Sequence, residues 1–297
     1  MTLDDLMFKP GLLAGRRYLV TGGGSGLGRV MTEGLLLLGA KVYICGRRAP
    51  VVEQSAQELM RLHGGSVVAK TCDIRHEEQI VAILDEIWAD GGALDGLVNN
   101  AAGNFVSRTE DLSMRAFDAI SNIVFRGSFA MTLHCGKRWL AEGKAASVLS
   151  ILTTWVWNGS AFTVPSAMSK SGLHAMTQSL AVEWAGRGIR FNAIAPGLFP
   201  TEGMSARLNP GGGEHKAQGN PMNRNGRMPE LANLAVYLLG PGSEYVNGQT
   251  IAVDGAQFQA TGGNFSALSQ WGDDDWQRAR ESIAGRDAQD RRMRTAD

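Results

Sequence analysis

Tyrosine is scarce in this chain and absent from its middle: the four residues are Tyr18, Tyr43, Tyr237 and Tyr245. The central part of the chain therefore has no phenol to offer as a proton donor. Cysteine is sparser still. Cys45, Cys72 and Cys135 are widely spaced and form no Cys-x-x-Cys pair, which argues against a disulfide framework and against a zinc site. Each is expected as a buried, reduced thiol. His63, His76, His134, His174 and His215 are scattered without metal-ligand spacing, so no metal is expected. Net charge is also missing. Lys plus Arg (29) balances Asp plus Glu (29), which removes any global attraction to nucleic acid or a membrane surface. No 18-residue uncharged apolar run occurs, and the acidic start Met1-Thr2-Leu3-Asp4-Asp5 lacks the basic and apolar regions of a targeting signal. A soluble cytoplasmic protein is expected.

What is present is alternation. Short apolar runs at Arg17–Thr21, Lys41–Cys45, Val67–Thr71, Asp95–Asn99, Ala146–Leu152, Ile189–Ala195 and Gln249–Val253 read as seven strands. Amphipathic segments near Leu27–Leu38, Val51–Leu62, Glu77–Ala89, Met114–Leu140, Ser166–Arg187 and Glu230–Leu239 read as helices between them. The expected fold is α/β: a single-domain Rossmann-type, doubly wound, seven-stranded parallel sheet with helices on both faces. A hydrophobic content of 44% over 297 residues suffices for one large core, so one domain over residues 1–297 is expected. Two stretches break the pattern. The Pro- and Gly-rich connection at about 196–228 reads as a substrate loop bordering the ligand crevice. A C-terminal extension from about 258 reads as a short acidic helix near Asp273–Ile283, followed by a frayed charged segment from Arg286 to Asp297.

Thr21-Gly22-Gly23-Gly24-Ser25-Gly26-Leu27-Gly28 closes the first strand and opens a helix, the setting of a dinucleotide site. Gly22 permits the tight turn, Gly26 lets backbone approach a pyrophosphate, and Gly28 lets helix and strand pack closely; Gly24, Ser25 and Leu27 complete the cradle. After the second strand, Cys45-Gly46-Arg47-Arg48 offers guanidiniums where an NAD enzyme offers an acid. Arg47 and Arg48, helped by Arg29, suit a 2′-phosphate, so NADPH is the expected cofactor. Asp73, with Ile74 beside it, is placed to meet the adenine amino group or to cap the next helix. Asn100, Ala101 and Gly103 form a small-residue loop near the nicotinamide side, and Pro196, Gly197 and Thr201 follow the sixth strand.

These motifs, together with Lys170, resemble the short-chain dehydrogenase/reductase family over nearly the whole chain. Within it, Asn99–Phe105, Phe162–Lys170, Arg190–Gly197, the Arg207-Leu208-Asn209-Pro210 loop and the C-terminal Trp276 look most like 2,4-dienoyl-CoA reductases. That branch also has serine, here Ser166, where the family normally has tyrosine. The resemblance implies NADPH-dependent reduction of a conjugated dienoyl thioester, a small-molecule partner of the acyl-CoA kind, and a homotetramer. Where that branch carries a tyrosine and an asparagine that meet the thioester oxygen, this chain has Trp155 and Arg126.

The candidate catalytic set is thus Lys170, Ser166, Thr153, Trp155 and Arg126. Lys170 would hold the nicotinamide ribose, with Ser166 one turn earlier on the same helix face. Thr153 matches the family's strand-end hydroxyl. Of Trp155 and Trp157, the first is the better cleft residue and the second is expected to pack inward. Arg126 is either an active-site donor or a subunit-interface arginine. Phe105, Phe162 and Phe199 are candidates for an apolar acyl pocket or for the core. Two rival readings stand beside the dienoyl reductase: a carbonyl or other enoyl reductase of the same family, and a catalytically silent NADPH-binding protein.

Overall fold

The structure, a computed structural model, describes residues 1–201, 220–261 and 265–294. Seven parallel strands form one sheet: β1 (Arg17–Thr21), β2 (Lys41–Gly46), β3 (Ser66–Thr71), β4 (Gly96–Asn99), β5 (Ala146–Ile151), β6 (Ile189–Pro196) and β7 (Thr250–Val253). Their spatial order is β3-β2-β1-β4-β5-β6-β7. The order reverses between β1 and β4, which puts a crevice at the carboxyl ends of those strands.

The helices are α1 (Gly26–Leu37), α2 (Ala49–His63), α3 (Glu77–Ala89), α4 (Met114–Ser121), α5 (Ser128–Glu142), α6 (Trp155–Asn158), α7 (Val164–Glu183), α8 (Met228–Leu239), α9 (Gln257–Ala260) and α10 (Asp273–Arg294). Strand alternation splits the core between two faces. Tyr18, Val20, Val42, Ile44 and Val98 pack with Met31 and Leu35 of α1, Leu59 of α2 and Leu231 of α8. Leu19, Tyr43, Cys45 and Leu97 pack on the other face with Ile83 and Leu84 of α3 and Met131, Cys135 and Trp139 of α5. Cys45, Cys72 and Cys135 are buried free thiols. No helix among the described residues is long and apolar enough to cross a membrane.

Two elements depart from the sequence reading. The segment expected as one helix over Met114–Leu140 is interrupted by a π-helical stretch at Asn122–Gly127. Its cause is tertiary: Gly127 lies so close to Ile74 that a Cβ there would sit 2.7 Å from Ile74 Cγ1 and 2.8 Å from its carbonyl oxygen, while Val124 is fully buried. The extra residue in the turn lets both contacts form. At the C-terminus, the short helix and frayed tail are replaced by α10, continuous to Arg294. Asp273, Asp274 and Asp275 favour its N-terminal turn electrostatically, and Gly285 is the one glycine it carries through.

Candidate active site

At the end of β1 the backbone turns through Gly22, at φ +66, and enters α1 at Gly26, at φ +54. Gly24 and Gly28 have no room for a side chain. A Cβ on Gly28 would lie 2.3 Å from the Gly22 carbonyl oxygen, and one on Gly24 would lie 3.0 Å from Val52 Cγ1. The Thr21 hydroxyl accepts the amide hydrogens of Asn100 and Ala101, each at 3.0 Å, and the Asn100 side-chain amide donates to the Thr21 carbonyl at 2.9 Å. Asn100 and Ala101 therefore clamp the end of β4 to the glycine turn, a role the sequence did not show. Gly103 faces Ile120 and Ile123. Ser25 is exposed and Leu27 half-buried. Across the opening, the Thr201 hydroxyl oxygen lies 3.9 Å from where a Gly26 Cβ would be. Exposed backbone N–H groups at a helix start, no Cβ in the way and a hydroxyl opposite fit a dinucleotide pyrophosphate.

Beyond β2, Arg47 and Arg48 are exposed, and their guanidiniums make no hydrogen bond or ion pair among the described residues; Arg48 occupies the N-cap position of α2, its carbonyl accepting from Val51 and Val52. Arg29 is not available to help them, because it pairs with Glu58 of α2 at 2.7 Å. Asp73 is not a helix cap either: that position belongs to His76. Its carboxylate instead accepts from the backbone and guanidinium of Arg75, at 3.1 and 2.9 Å, and Arg75 holds it below the usual carboxylate range. Ile74 is buried beneath the π-helical turn.

On the other side of the cleft, Lys170 of α7 is 5% exposed and donates to the carbonyl of Ile151, the last residue of β5. Burial lowers its pKa to about 8. Ser166, one turn earlier, is buried, and its hydroxyl makes no hydrogen bond among the described residues. The Thr153 hydroxyl, two residues beyond β5, is buried with no partner among the described residues. Such orphaned oxygens are costly unless a ligand or water meets them. Trp155 opens α6, half-buried, its indole N–H without a partner among the described residues. Trp157, at 38% exposed, is not the inward-packed residue expected. Its ring stacks 4.8 Å from Phe258 of α9 and lies 6.3 Å from His174. Arg126 is exposed within the π-helical turn, with no ion pair among the described residues.

The Pro196-Gly197 turn ends β6. The Gly197 N–H donates to Val253 at 2.9 Å, and a Cβ on Gly197 would lie 2.7 Å from that of Asp254. Asp254, overlooked in the sequence, accepts from the backbone of Ala256 and Phe258, and Asn220 donates to its carbonyl at 3.0 Å. The Val-Asp-Gly run after the last strand was its only signal. Phe199 is core, 2% exposed, filling the space left by Gly226. The loop Arg207-Leu208-Asn209-Pro210 lies outside the described residues.

A glycine turn at the crossover of a parallel sheet, with a buried lysine across the crevice, defines a dinucleotide-binding oxidoreductase. A family model described as enoyl-(acyl carrier protein) reductase matches residues 22–256. The chain belongs to that family, the short-chain dehydrogenase/reductases. It is 38% identical to a probable 2,4-dienoyl-CoA reductase of Caenorhabditis elegans, named as producing the (3E)-enoyl-CoA, over 94% of this chain and 93% of that one. It is 34% identical to a probable 2,4-dienoyl-CoA reductase of Bacillus subtilis, named as producing the (2E)-enoyl-CoA, over 82% of this chain and 96% of that one. Among solved structures, one described as a putative NAD(P)-dependent gluconate 5-dehydrogenase of Beutenbergia cavernae, with bound NADP, is similar. It has a TM-score of 0.77 and 31% identity, over 84% of this chain and all of that one.

Proposed function

We propose that this chain is an NADPH-dependent reductase of a conjugated, 2,4-dienoyl-type acyl thioester. The observation that carries the reading is a buried lysine with a serine, and no phenol, one turn before it. Tyr18 and Tyr43 are buried in β1 and β2; Tyr237 lies on α8, and Tyr245 is fully exposed beyond that helix. Reduction of a simple ketone must protonate an alkoxide, for which a phenol is well matched. Conjugate reduction gathers charge on the thioester oxygen and needs hydrogen-bond donors aimed there. The dienoyl-CoA reductases among the relatives support the same substrate class.

The cofactor supplies hydride when bound. Gly22, Gly24, Ser25, Gly26 and Leu27 cradle its pyrophosphate, Thr201 faces them, and Arg47 with Arg48 holds the 2′-phosphate. Lys170 leaves the Ile151 carbonyl to hold the ribose, joined by Asn100, Gly103, Pro196 and Gly197 around the nicotinamide, with Asp73 and Ile74 at the adenine. Trp155 and Arg126 donate to the thioester oxygen, and the free hydroxyls of Thr153 and Ser166 orient the acyl carbonyl. Arginine brings a full charge to a developing enolate, which indole cannot. We also infer a homo-oligomer, because Phe125, Phe129, Met168 and Val182 stand exposed on the π-helical turn, α5 and α7.

The test is NADPH oxidation by the purified protein with a medium-chain 2,4-dienoyl-CoA, alongside Lys170→Ala and a simple ketone. Lys170-dependent turnover of the thioester is expected. Turnover of the ketone alone would favour the carbonyl reductase to which the gluconate dehydrogenase likeness points. NADPH binding without any turnover would indicate a silent protein.

A further inference from the structure

Of the three phenylalanines that suit an apolar pocket by sequence, the structure buries Phe199 and packs Phe105 against the cluster of Ile120, Val124 and Leu152. Phe162 is different. It keeps 57% of its surface and sits at φ +63, in the left-handed region. A bulky L residue is strained there, whereas glycine would adopt that backbone freely. The strain is held from outside: the Ser107 N–H donates to the Phe162 carbonyl at 2.9 Å. The next residue is pinned as well, since Thr163 donates to the Ser160 hydroxyl at 2.8 Å and its carbonyl accepts from the Ser166 N–H at 3.0 Å. The Ser107 bond joins the loop after Gly103 to the loop entering α7, beyond the carboxyl ends of β4 and β5. Ser166, in the first turn of α7, follows four residues after Phe162.

An exposed phenyl ring on strained backbone does nothing for folding that glycine would not do better. Strain of this kind persists where the surroundings impose it and function uses it. We propose that Phe162 is a substrate-recognition residue whose ring packs against the acyl chain of the thioester beside Ser166. The proposal rests on the acyl-thioester reading above.

Two variants separate ring from backbone. Phe162→Gly removes the ring and the strain together, and Phe162→Leu keeps apolar bulk. With a medium-chain 2,4-dienoyl-CoA, Phe162→Gly is expected to raise KM about tenfold. A short-chain dienoyl-CoA should lose less. Phe162→Leu should recover most of the loss, with the Kd for NADPH unchanged in both variants and the Tm of Phe162→Gly equal to wild type or higher. Unchanged KM in an active, folded Phe162→Gly enzyme would overturn the proposal while leaving the thioester reading intact. A change of assembly size in gel filtration, tracking the change in KM, would make Phe162 a subunit contact and also overturn it. A wild-type protein that neither turns over nor binds any acyl-CoA would remove the reading and the proposal together.

Discussion

Around Gly22 and Gly28 the chain leaves no space for one added carbon, whereas the Trp155 indole N–H, the Arg126 guanidinium and the Phe162 ring meet no hydrogen-bonding, ionic or aromatic partner among the described residues. The two walls of one cleft are thus specified differently. The cofactor wall is made of backbone, and its tolerances are fractions of an ångström: Gly22, Gly24 and Gly28 each abut a neighbour at 3.0 Å or less from a virtual Cβ. The opposite wall, which the proposed function gives to the substrate, is made of side chains outside the sheet, exposed at Arg126 and Phe162, so it can change chemistry without disturbing the sheet. On the proposed function, one wall fixes which cofactor class binds, and the other sets what is reduced.

The sharpest way to break this contrast is Gly28→Ala. Its Cβ would overlap the Gly22 carbonyl and lie 2.4 Å from Asn100 Nδ2. The first is backbone, and the second is an amide pinned by its bonds to the Thr21 and Gly22 carbonyls, so a loss of about 3 kcal/mol in stability is expected, with NADPH binding abolished. Gly26→Ala is the control. It meets nothing nearer than Thr201 at 3.9 Å, so only its left-handed backbone, at about 1 kcal/mol, should count. Chemical denaturation of both variants measures the difference; equal losses would mean that turn conformation, not packing, sets the constraint.

Lys170 stands between the two walls, and its burial has a pH signature. Ordinary lysine holds its proton to about 10.5, and folded Lys170 only to about 8. Between those values the unfolded chain binds more protons, so this residue makes the ligand-free protein more stable as pH rises through the window. Below about 8 its penalty is present in full. Lys170→Met should therefore stabilise the ligand-free protein at neutral pH by about 3 kcal/mol and flatten this rise. The measurement is the difference in unfolding free energy between wild type and variant from pH 7 to 10, which cancels other groups titrating there. A constant difference would show that Lys170 keeps its ordinary proton affinity in the fold.

The same division explains what was legible beforehand. Strands and helices were readable because period-two and helical patterns are local, and the glycine turn because its motif joins a strand to a helix. The π-helical turn was not, since it depends on Gly127 meeting Ile74, residues far apart in sequence. Arg29 looked free until the fold brought Glu58 beside it, and Asp73 looked like a cap until Arg75 claimed its carboxylate. The φ of Phe162 has no sequence signal at all: nothing in Ser160-Ala161-Phe162-Thr163 announces a left-handed residue.

Arg47 tests whether the outer edge of the cofactor wall is as specific as its backbone. With no protein partner among the described residues, its guanidinium is free to meet a 2′-phosphate. Arg47→Ala should weaken NADPH by about 2 kcal/mol and leave NADH nearly unchanged. Fluorescence titration with both cofactors decides; equal weakening would remove the phosphate assignment.

The smallest expected effects lie on the substrate wall, where a residue can be lost without harming the fold. Arg126 is exposed and unpaired among the described residues, so Arg126→Asn should change stability by less than about 0.5 kcal/mol. If its charge meets the thioester oxygen as the enolate develops, kcat should still fall about tenfold, worth about 1.4 kcal/mol, with KM little changed. Trp155→Phe removes only an indole N–H and should cost less. A double variant then sharpens the comparison: two donors on one oxygen should couple, and two independent surface residues should add. Unaltered kcat in Arg126→Asn would move that arginine out of the site and leave Trp155 and the hydroxyls of Thr153 and Ser166 to define the substrate wall.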